Sequence, residues 1–317
     1  MLSNKKIYVA GHLGMVGSAI IKQLKKEGSN NIIYKSKKEL NLLRQAEVHS
    51  FLEEEKPDYV IIAAAKVGGI FANNNYPAEF IYQNLMIEAN LIHGSFLAGI
   101  KNLLFLGSSC IYPKKSLQPI KEEYLLSGYL EPTNEAYAIS KIAGIKLCES
   151  YNRQYGTNYR SIMPTNLYGP HDNFNLNNSH VIPALIRKFH EAKNKIAPTV
   201  EVWGSGQQLR DFLYVEDMAK ASLFIMNCDS SLFNDVSSPM LSHINIGSGR
   251  EKTIKETSFL IKEIVGYHGN VVFNEDMPDG MKRKLLDIKK IEELGWKPET
   301  SFKDGLEKTY SWFLKNN

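Results

Sequence analysis

The sequence predicts an α/β fold built on a doubly wound parallel sheet of the Rossmann type. Short apolar runs typical of buried strands alternate with helical runs through most of the 317 residues. The first apolar run, Lys6 to Ala10, ends in a glycine-rich turn that opens a helix. Helical crossovers between successive strands favour parallel pairing, with helices on both faces of the sheet. The less regular C-terminal half predicts a smaller α/β domain.

The composition indicates an ordinary globular protein. The chain is 43% hydrophobic and 23% charged, and its formal net charge is +4. So small a charge argues against nucleic acid as the main partner and is compatible with an anionic small molecule. The start lacks the apolar core of a signal peptide and no apolar run reaches membrane-spanning length, so we expect no membrane partner and a cytoplasmic location. Cys110, Cys148 and Cys228 lack metal-ligand spacing, so we expect reduced thiols and no metal.

The turn Gly11-His12-Leu13-Gly14-Met15-Val16-Gly17 predicts a dinucleotide site. Glycines permit a tight turn and let the backbone approach a pyrophosphate, which then sits at the N-terminus of the following helix. The spacing Gly-x-x-Gly-x-x-Gly differs from the more familiar Gly-x-Gly-x-x-Gly. A glycine-rich loop without a ligand is the alternative interpretation.

The end of the second predicted strand, 31–34, indicates which dinucleotide is bound. Lys35, Ser36 and Lys37 follow this strand, and no carboxylate occurs before Glu39. An acidic residue at this place binds the ribose of NAD, whereas a basic residue accommodates the 2′-phosphate of NADP. The lysines therefore favour NADPH as the cofactor, and a solvated lysine cluster is the alternative.

The remaining elements continue the alternation of strands and helices. We predict strands over 58–65, 101–106, 160–163, 200–203 and 243–246, helices over 48–55, 80–97, 179–193, 216–226, 254–265 and 306–314, and a loop over 73–77. Residues 1–178 are expected to form the dinucleotide-binding domain, to which residues 211–250 return. Residues 179–210 and 251–317 are expected to form the substrate-binding domain.

The run Glu135 to Lys141 contains the pattern Tyr-x-x-x-Lys. At this spacing on a helix, Tyr137 and Lys141 share one face. A fixed positive charge near a phenol favours its ionised form, so we expect Lys141 to lower the pKa of Tyr137. Such a phenol can donate a proton to an oxygen that gains charge. The pattern also occurs by chance on amphipathic helices, so its interpretation needs support from other residues.

Polar residues at the ends of predicted strands supply that support, because ligands of doubly wound sheets bind beyond the carboxyl ends of the strands. Ser108 follows the strand over 101–106, and with Tyr137 it would place two hydrogen-bond donors at one carbonyl oxygen. Cys110 and His180 together would allow proton exchange on a carbon next to that carbonyl. A buried thiol and a histidine packed near a helix start are the alternatives.

These features resemble the extended short-chain dehydrogenase/reductase superfamily, through the glycine turn, Ser108 and Tyr137-x-x-x-Lys141. Within it the chain is similar, nearly from end to end, to the GDP-L-fucose synthase family of GDP-4-keto-6-deoxy-D-mannose 3,5-epimerase/4-reductases. The segments that carry this similarity include Ala-Ala-Ala-Lys-Val-Gly-Gly-Ile, Leu-Gly-Ser-Ser-Cys-Ile-Tyr-Pro, Glu-Pro-Thr-Asn-Glu-Ala-Tyr-Ala-Ile-Ser-Lys, Asn-Leu-Tyr-Gly-Pro-His-Asp-Asn-Phe and Ser-His-Val-Ile-Pro-Ala-Leu.

The resemblance implies epimerisation at C3 and C5 of a GDP-sugar, followed by NADPH-dependent reduction at C4. The implied catalytic residues are Ser108, Cys110, Tyr137, Lys141 and His180, with Cys110 and His180 as base and acid. The implied substrate-binding residues are Lys188, Trp203, Arg210 and Asp279. The implied cofactor-binding residues are Gly11, His12, Leu13, Gly14, Met15, Val16, Gly17, Lys35, Ser36, Lys37, Asn41, Leu42, Ala64, Leu106, Gly107, Lys141, Pro164, Thr165, Asn166, Leu167 and His180. By the same analogy, the protein is expected to be a homodimer.

One position departs from the family pattern, and two other functions stay open. Leu13 stands where the family often has arginine, so Lys35 and Lys37 must supply the cationic contact to the 2′-phosphate. A nucleotide-sugar 4-epimerase or dehydratase with tightly bound NAD would share the tyrosine and lysine, and Cys110 and His180 argue against it. A non-catalytic nucleotide-sensing protein of the same fold would typically have lost the catalytic tyrosine or lysine.

Overall fold

A computed structural model of the protein describes residues 2–176, 179–277 and 281–316. Its helices are α1 (Met15–Lys26), α2 (Gln45–Glu55), α3 (Ile70–Asn75), α4 (Pro77–Leu97), α5 (Glu135–Tyr155), α6 (Val181–Asn194), α7 (Val215–Asn227), α8 (Ser230–Val236), α9 (Ile254–Val265), α10 (Lys289–Glu293) and α11 (Phe302–Asn316). Its strands are β1 (Ile7–Ala10), β2 (Ile32–Ile33), β3 (Tyr59–Ile62), β4 (Asn102–Leu106), β5 (Asn158–Pro164), β6 (Asn166–Tyr168), β7 (Thr199–Trp203), β8 (Leu209–Tyr214), β9 (Ile244–Ile246), β10 (Glu251–Thr253), β11 (Asn270–Asn274) and β12 (Arg283–Lys284).

Within the described residues, six parallel strands form one sheet in the order β2-β1-β3-β4-β5-β9. Every residue of β1 is buried, as expected of a strand that is covered on both faces. Helix α1 packs against α7, and α4 packs against α2 and α5, which supplies the helical layers. The strand order changes direction between β1 and β3, where such sheets bind their ligands. The predicted α/β fold with a doubly wound parallel sheet is confirmed.

The rest of the described chain surrounds a second hydrophobic core. Strand β8 pairs with β6, β10 and β12, and β7 pairs with β11. Phe189 of α6 and Phe313 of α11 are buried in this core. Strand β8 serves both cores, because Leu213 packs into the first and its neighbours Phe212 and Tyr214 pack into the second. The predicted domain boundaries stay a prediction, since β6 and β8 lie with the second sheet while α7 and β9 return to the first.

Two predicted elements near the sheet edge differ from the structure. The loop predicted over 73–77 is wrong, because α3 continues to Asn75 and α4 begins at Pro77. The fixed φ of proline suits the first position of a helix. The strand predicted over 58–65 is too long. It ends at Ile62, and further on the Lys66 N–H donates to Oδ1 of Asn84 at 2.8 Å rather than to a neighbouring strand.

The carboxyl ends of β1, β3, β4 and β5 lie at one edge of the parallel sheet. The segments that follow these strands carry most of the residues predicted to bind the cofactor or to take part in catalysis. No helix in the described ranges is long and apolar enough to span a bilayer.

Candidate active site

The glycine-rich turn forms a closely packed backbone surface before α1. Gly11 has a φ of +89°, and a Cβ at this position would lie 2.6 Å from the backbone nitrogen of Ala64. A Cβ on Gly17 would lie 2.2 Å from the carbonyl oxygen of Gly11. Helix α1 starts after Gly14, which supplies no side-chain cap, so the first N–H groups of α1 are left for an anion. The turn therefore suits a pyrophosphate.

The segment after β2 combines positive charge with one carboxylate. His12 stacks on Tyr34 with the ring centroids 4.7 Å apart. The Glu39 carboxylate turns back and accepts a hydrogen bond from the Ser36 N–H at 2.7 Å. Hydrogen bonding to Ser36, together with the nearby charge of Lys35, lowers the pKa of Glu39. The place predicted to bind a 2′-phosphate therefore contains an anion that competes with it.

Ser108, Cys110 and Tyr137 meet at the carboxyl end of β4. The Ser108 Oγ accepts a hydrogen bond from the Cys110 N–H at 3.3 Å, at the start of the short 3₁₀ turn Ser109–Ile111. The Ser108 hydroxyl also lies close enough to the phenol of Tyr137, in the first turn of α5, to lower the pKa of that phenol by hydrogen bonding. Cys110 is close enough to Tyr137 to raise its pKa through charge. Two hydroxyls and a thiol thus lie together, as the sequence predicted.

Lys141 is buried one turn further along α5. Its Nζ lies 3.0 Å from Oε1 of Glu88 in α4 and donates to the Leu106 carbonyl at 3.1 Å. The same Nζ is 5.8 Å from the centroid of the Tyr137 ring. Lys141 therefore approaches the phenol as its spacing predicts, while its charge is paired with a carboxylate from another helix.

The phenol is less acidic than the sequence predicts. The pKa of Tyr137 is raised, mainly by burial, and the charges of Cys110 and Glu88 raise it further. The hydrogen bond to Ser108 acts in the opposite direction. The expected net lowering of the Tyr137 pKa is wrong: burial disfavours the phenolate and Glu88 adds a negative charge beside the lysine, and together these effects outweigh the charge of Lys141.

Lys284 in β12 contacts Cys110, and its charge lies near His180. Its Nζ donates to the Cys110 Sγ at 3.7 Å. His180 immediately precedes α6, and its side chain is exposed although protein atoms surround much of it. That crowding, and then the charge of Lys284, lower the pKa of His180 and favour a neutral imidazole at neutral pH. Three separate chain segments therefore contribute a thiol, an ammonium and an imidazole to one cluster.

Three of the predicted substrate residues, Lys188, Trp203 and Arg210, lie in the second region, by which we mean the elements around the second hydrophobic core. The Lys188 Nζ is 5.2 Å from the centroid of the Trp203 ring, and burial lowers the pKa of Lys188. Trp203 is 56% exposed, so its ring offers an open aromatic surface. Arg210 in β8 is in register with Lys284 in β12, which places both side chains on the same face of the sheet. Asp279 lies outside the described residues.

The other predicted cofactor positions follow the strands of the parallel sheet. Asn41 and Leu42 come after β2, Ala64 after β3, Leu106 and Gly107 at the end of β4, and Pro164, Thr165, Asn166 and Leu167 at the junction of β5 and β6. The Thr165 hydroxyl and the Asn166 amide both donate to the Asp211 carbonyl, at 3.1 and 2.9 Å. These bonds hold the junction against β8. Which of these positions contact a cofactor stays a prediction.

Glu88 and Lys284 were not predicted as site residues from the sequence. For Glu88 a signal was available, because it is a carboxylate inside the apolar run predicted as the helix 80–97, and a buried carboxylate requires a partner. For Lys284 there was none, since Arg283-Lys284 reads as an ordinary basic pair on a surface.

Comparison with known proteins shows strong similarity over the whole chain. The model of the NAD dependent epimerase/dehydratase family matches residues 7–247. The chain is 57% identical to the GDP-L-fucose synthase of Escherichia coli (strain K12) over 315 residues, which covers 99% of this chain and 98% of that one. It is 55% identical to GDP-L-fucose synthase 1 of Arabidopsis thaliana over 311 residues, which covers 98% of this chain and 94% of that one.

Solved structures extend the similarity to three dimensions. A GDP-6-OMe-4-keto-L-xylo-heptose reductase from C. jejuni superposes with a TM-score of 0.94 at 40% identity, covering 100% of this chain and 99% of that chain. A GDP-L-fucose synthetase from Naegleria fowleri bound to NADP superposes with a TM-score of 0.89 at 30% identity, covering 100% and 96%. The similarity therefore includes both the edge of the parallel sheet and the second region.

Proposed function

Because the chain belongs to the NAD-dependent epimerase/dehydratase family and, within it, to the GDP-L-fucose synthases, we propose that it converts GDP-4-keto-6-deoxy-D-mannose to GDP-L-fucose. The reaction comprises epimerisation at C3 and C5 and then reduction at C4, in one site. The observation that carries the proposal is the grouping of Ser108, Cys110 and Tyr137 at the end of β4, with Lys284 bonded to Cys110 and its charge near His180. Reduction requires the hydroxyl pair, and epimerisation accounts for the added thiol and imidazole.

The proposed cofactor is NADPH, held at the glycine-rich turn. The packing of Gly11 and Gly17 supports this, since the backbone surface has no side chain to keep a pyrophosphate away. The N-terminus of α1 favours the charge of the pyrophosphate. Lys35 and Lys37 would hold the 2′-phosphate, because the exposed Leu13 has no charge to offer. When bound, NADPH supplies the hydride that reduces C4.

Cys110 and His180 would carry out the epimerisation. The C4 carbonyl makes the hydrogens on C3 and C5 acidic, so a base can remove a proton from one face and an acid can return one to the other. Ser108 and Tyr137 donate hydrogen bonds to the enolate oxygen that develops at C4. Lys284 donates a hydrogen bond to the sulfur of Cys110, and its positive charge lies near the imidazole of His180.

Tyr137 would complete the reduction. Its raised pKa keeps the phenol protonated near neutral pH, ready to donate to the oxygen that forms at C4. Ser108 holds that oxygen during the transfer. Lys141 then stabilises the phenolate, at 5.8 Å from the ring centroid.

The GDP part of the substrate is assigned to the second region. Lys188 and Arg210 supply positive charge for the diphosphate, and Trp203 supplies an exposed aromatic face. Asp279 stays a prediction as a partner for hydroxyl groups. A GDP-sugar would thus extend from β7 and β8 to the catalytic cluster at the end of β4.

We also propose that two copies of the chain pair through α4 and α5. Exposed apolar side chains on these helices, Tyr82, Leu97, Ile139 and Tyr155, support a protein partner for this surface. Sedimentation should give the mass of a dimer, and a monomer at all accessible concentrations would contradict the proposal. The cytoplasmic location stays a prediction from the sequence.

The purified protein should be incubated with GDP-4-keto-6-deoxy-D-mannose and NADPH, and the sugar product analysed. We expect NADPH oxidation with GDP-L-fucose as product. In D₂O without NADPH, deuterium should enter C3 and C5. If NADPH were not oxidised and NAD stayed bound through purification, a 4-epimerase or dehydratase would replace this proposal.

A further inference from the structure

We propose that Glu88 is a positioning residue for Lys141 and thereby sets the acidity of the Tyr137 phenol. Glu88 lies in α4, outside the sequence motifs that contain the other catalytic residues. The inference deepens the proposed function, because it concerns the proton that Tyr137 donates during reduction. It rests on the contacts between α4 and α5.

Glu88 and Lys141 form a deeply buried ion pair. Each residue is 1% exposed, and Nζ lies 3.0 Å from Oε1. Burial raises the pKa of Glu88, and the ammonium of Lys141 opposes that rise. In the described part of the chain, neither carboxylate oxygen has a well-aligned hydrogen bond, so charge is what holds the pair together. A buried carboxylate is costly without a partner, which makes a purely incidental position implausible.

Helix α5 is shaped to admit this carboxylate. Lys141, Gly144 and Cys148 recur at helical spacing and share one face. A Cβ on Gly144 would lie 2.8 Å from Oε2 of Glu88 and 2.4 Å from Cζ of Phe105. Glycine inside a helix is destabilising relative to alanine. The glycine at this place therefore indicates that room for Glu88 and Phe105 outweighs helix propensity.

Two contacts together determine where the ammonium of Lys141 lies. Glu88 attracts it from α4, and the Leu106 carbonyl accepts its hydrogen bond at the end of β4. At 5.8 Å from the centroid of the Tyr137 ring, the positive ammonium attracts a phenolate. The carboxylate of Glu88 disfavours that phenolate. Glu88 thus holds Lys141 near the phenol and limits how strongly the lysine promotes loss of the phenolic proton.

The other titratable groups around the phenol do not replace Glu88 in this role. Cys110 faces Tyr137 from the turn after β4 and raises its pKa, with Lys284 bonded to its sulfur from β12. Cys148 on α5 lies near Glu88, and burial raises the pKa of its thiol so that it stays neutral. Removing the charge of Glu88 therefore changes the balance beside Lys141 directly.

The variant Glu88→Gln keeps the shape of the side chain and removes its charge. We expect the alkaline limb of the pH profile of C4 reduction to move down by roughly one pH unit or more, because the ammonium then acts on the phenol without opposition. Independently of turnover, tyrosine labelled with ¹³C at Cζ reports the ionisation of Tyr137 by NMR, and the signal is assigned by its loss in Tyr137→Phe. That signal should begin to titrate at lower pH in Glu88→Gln than in the unaltered protein.

Glu149→Gln is the matched control. Glu149 is also a buried carboxylate, and it is paired with Lys146 at 2.8 Å on the same helix. The Glu149→Gln variant should lose about as much stability as Glu88→Gln and leave the NMR signal of Tyr137 unmoved. Glu88→Asp retains the negative charge at a greater distance from Lys141 and should give a smaller downward shift of the Tyr137 titration. This variant replaces Glu88→Gln in the test if Glu88→Gln does not fold.

An unchanged Tyr137 titration in Glu88→Gln, or an equal shift in Glu149→Gln, would overturn the positioning role. If the unaltered protein failed to oxidise NADPH with the GDP-sugar, the proposed function would fail. The NMR titration would still decide the role of Glu88, because it does not depend on the substrate.

Discussion

The two regions that supply the site hold their side chains in different ways. At the edge of the parallel sheet, the Tyr137 phenol lies beside Ser108 and Cys110. The Lys141 ammonium is paired with the buried carboxylate of Glu88 and donates to the Leu106 carbonyl. In the second region, the ammonium of Lys188 lies over the indole ring of Trp203, and the tryptophan is more than half exposed. Charge stabilisation in a transition state requires groups that are already in place, whereas substrate binding tolerates side-chain adjustment. This difference supports the proposal that catalysis takes place at the sheet edge and that the second region binds the substrate.

Tyr137→Phe tests the edge of the parallel sheet most severely. Reduction at C4 should fall roughly 100-fold to 10,000-fold, because the general acid is removed. Tyr151→Phe on the same helix removes a phenol that is bonded to His93 at 2.6 Å, and it should leave reduction unchanged. The measurement is NADPH oxidation with the GDP-sugar at saturating concentrations. Wild-type turnover by Tyr137→Phe would remove the phenol from the mechanism.

Cys110→Ser separates epimerisation from cofactor binding. Deuterium incorporation at C3 and C5 should fall by about 100-fold, while the affinity for NADPH stays the same. Cys228→Ser, at a partly exposed thiol in the turn after α7, is the control. Exchange at the unaltered rate in Cys110→Ser would mean that this thiol is structural.

Lys284→Met tests the link between the two regions. Loss of a charged hydrogen bond to the Cys110 sulfur should slow exchange by about tenfold. The control is Arg283→Met, because the neighbouring residue points to the opposite face of the sheet and pairs with Glu251. Equal effects of the two variants on exchange would show that general loss of charge, rather than the contact with Cys110, is responsible.

His243 lies just before β9, and its burial predicts how the stability of the folded protein depends on pH. Burial lowers the pKa of His243 from 6.5 to about 3. Between pH 6.5 and about 3, the unfolded chain therefore binds a proton more readily than the folded protein does. The stability of the folded protein should fall as the pH drops through this range. The slope from this one group is at most about 1.4 kcal/mol per pH unit.

His243→Gln should flatten that slope in urea unfolding measured across the same pH window. The exposed His180 should contribute much less, so His180→Gln is the comparison. A slope that is unaltered by His243→Gln would assign the acid sensitivity to other groups.

The smallest effects are expected at the cofactor's 2′-phosphate. Lys35→Glu combined with Lys37→Glu should weaken NADPH relative to NADH by roughly threefold to tenfold, since both charges are near the surface. Glu39→Gln should change the preference by a few-fold in the opposite direction, because it removes the competing anion bonded to Ser36. Binding titrations with both dinucleotides measure the ratio. An unaltered ratio in all these variants would place recognition of the phosphate elsewhere.

Short-range sequence patterns were enough to predict the candidate residues at the edge of the parallel sheet. The glycine turn, Ser108 and the pair Tyr137 and Lys141 each depend on a few neighbouring positions or on the end of one strand, so spacing alone indicated them. The helix that ends at Asn75 was missed because asparagines are frequent in loops. The direction of the Tyr137 pKa shift was also missed, since it depends on burial and on a carboxylate in another helix.

The alternation of strands and helices, the glycine-rich turn and the chemical groups that can move protons were predictable from the sequence, because periodicity and local spacing encode these properties. Only the folded chain shows that Glu88 meets Lys141, that Lys284 reaches Cys110 and that β8 packs into both cores. These contacts join segments far apart in the chain, and burial then changes the charge that each group can carry. No local pattern contains that information.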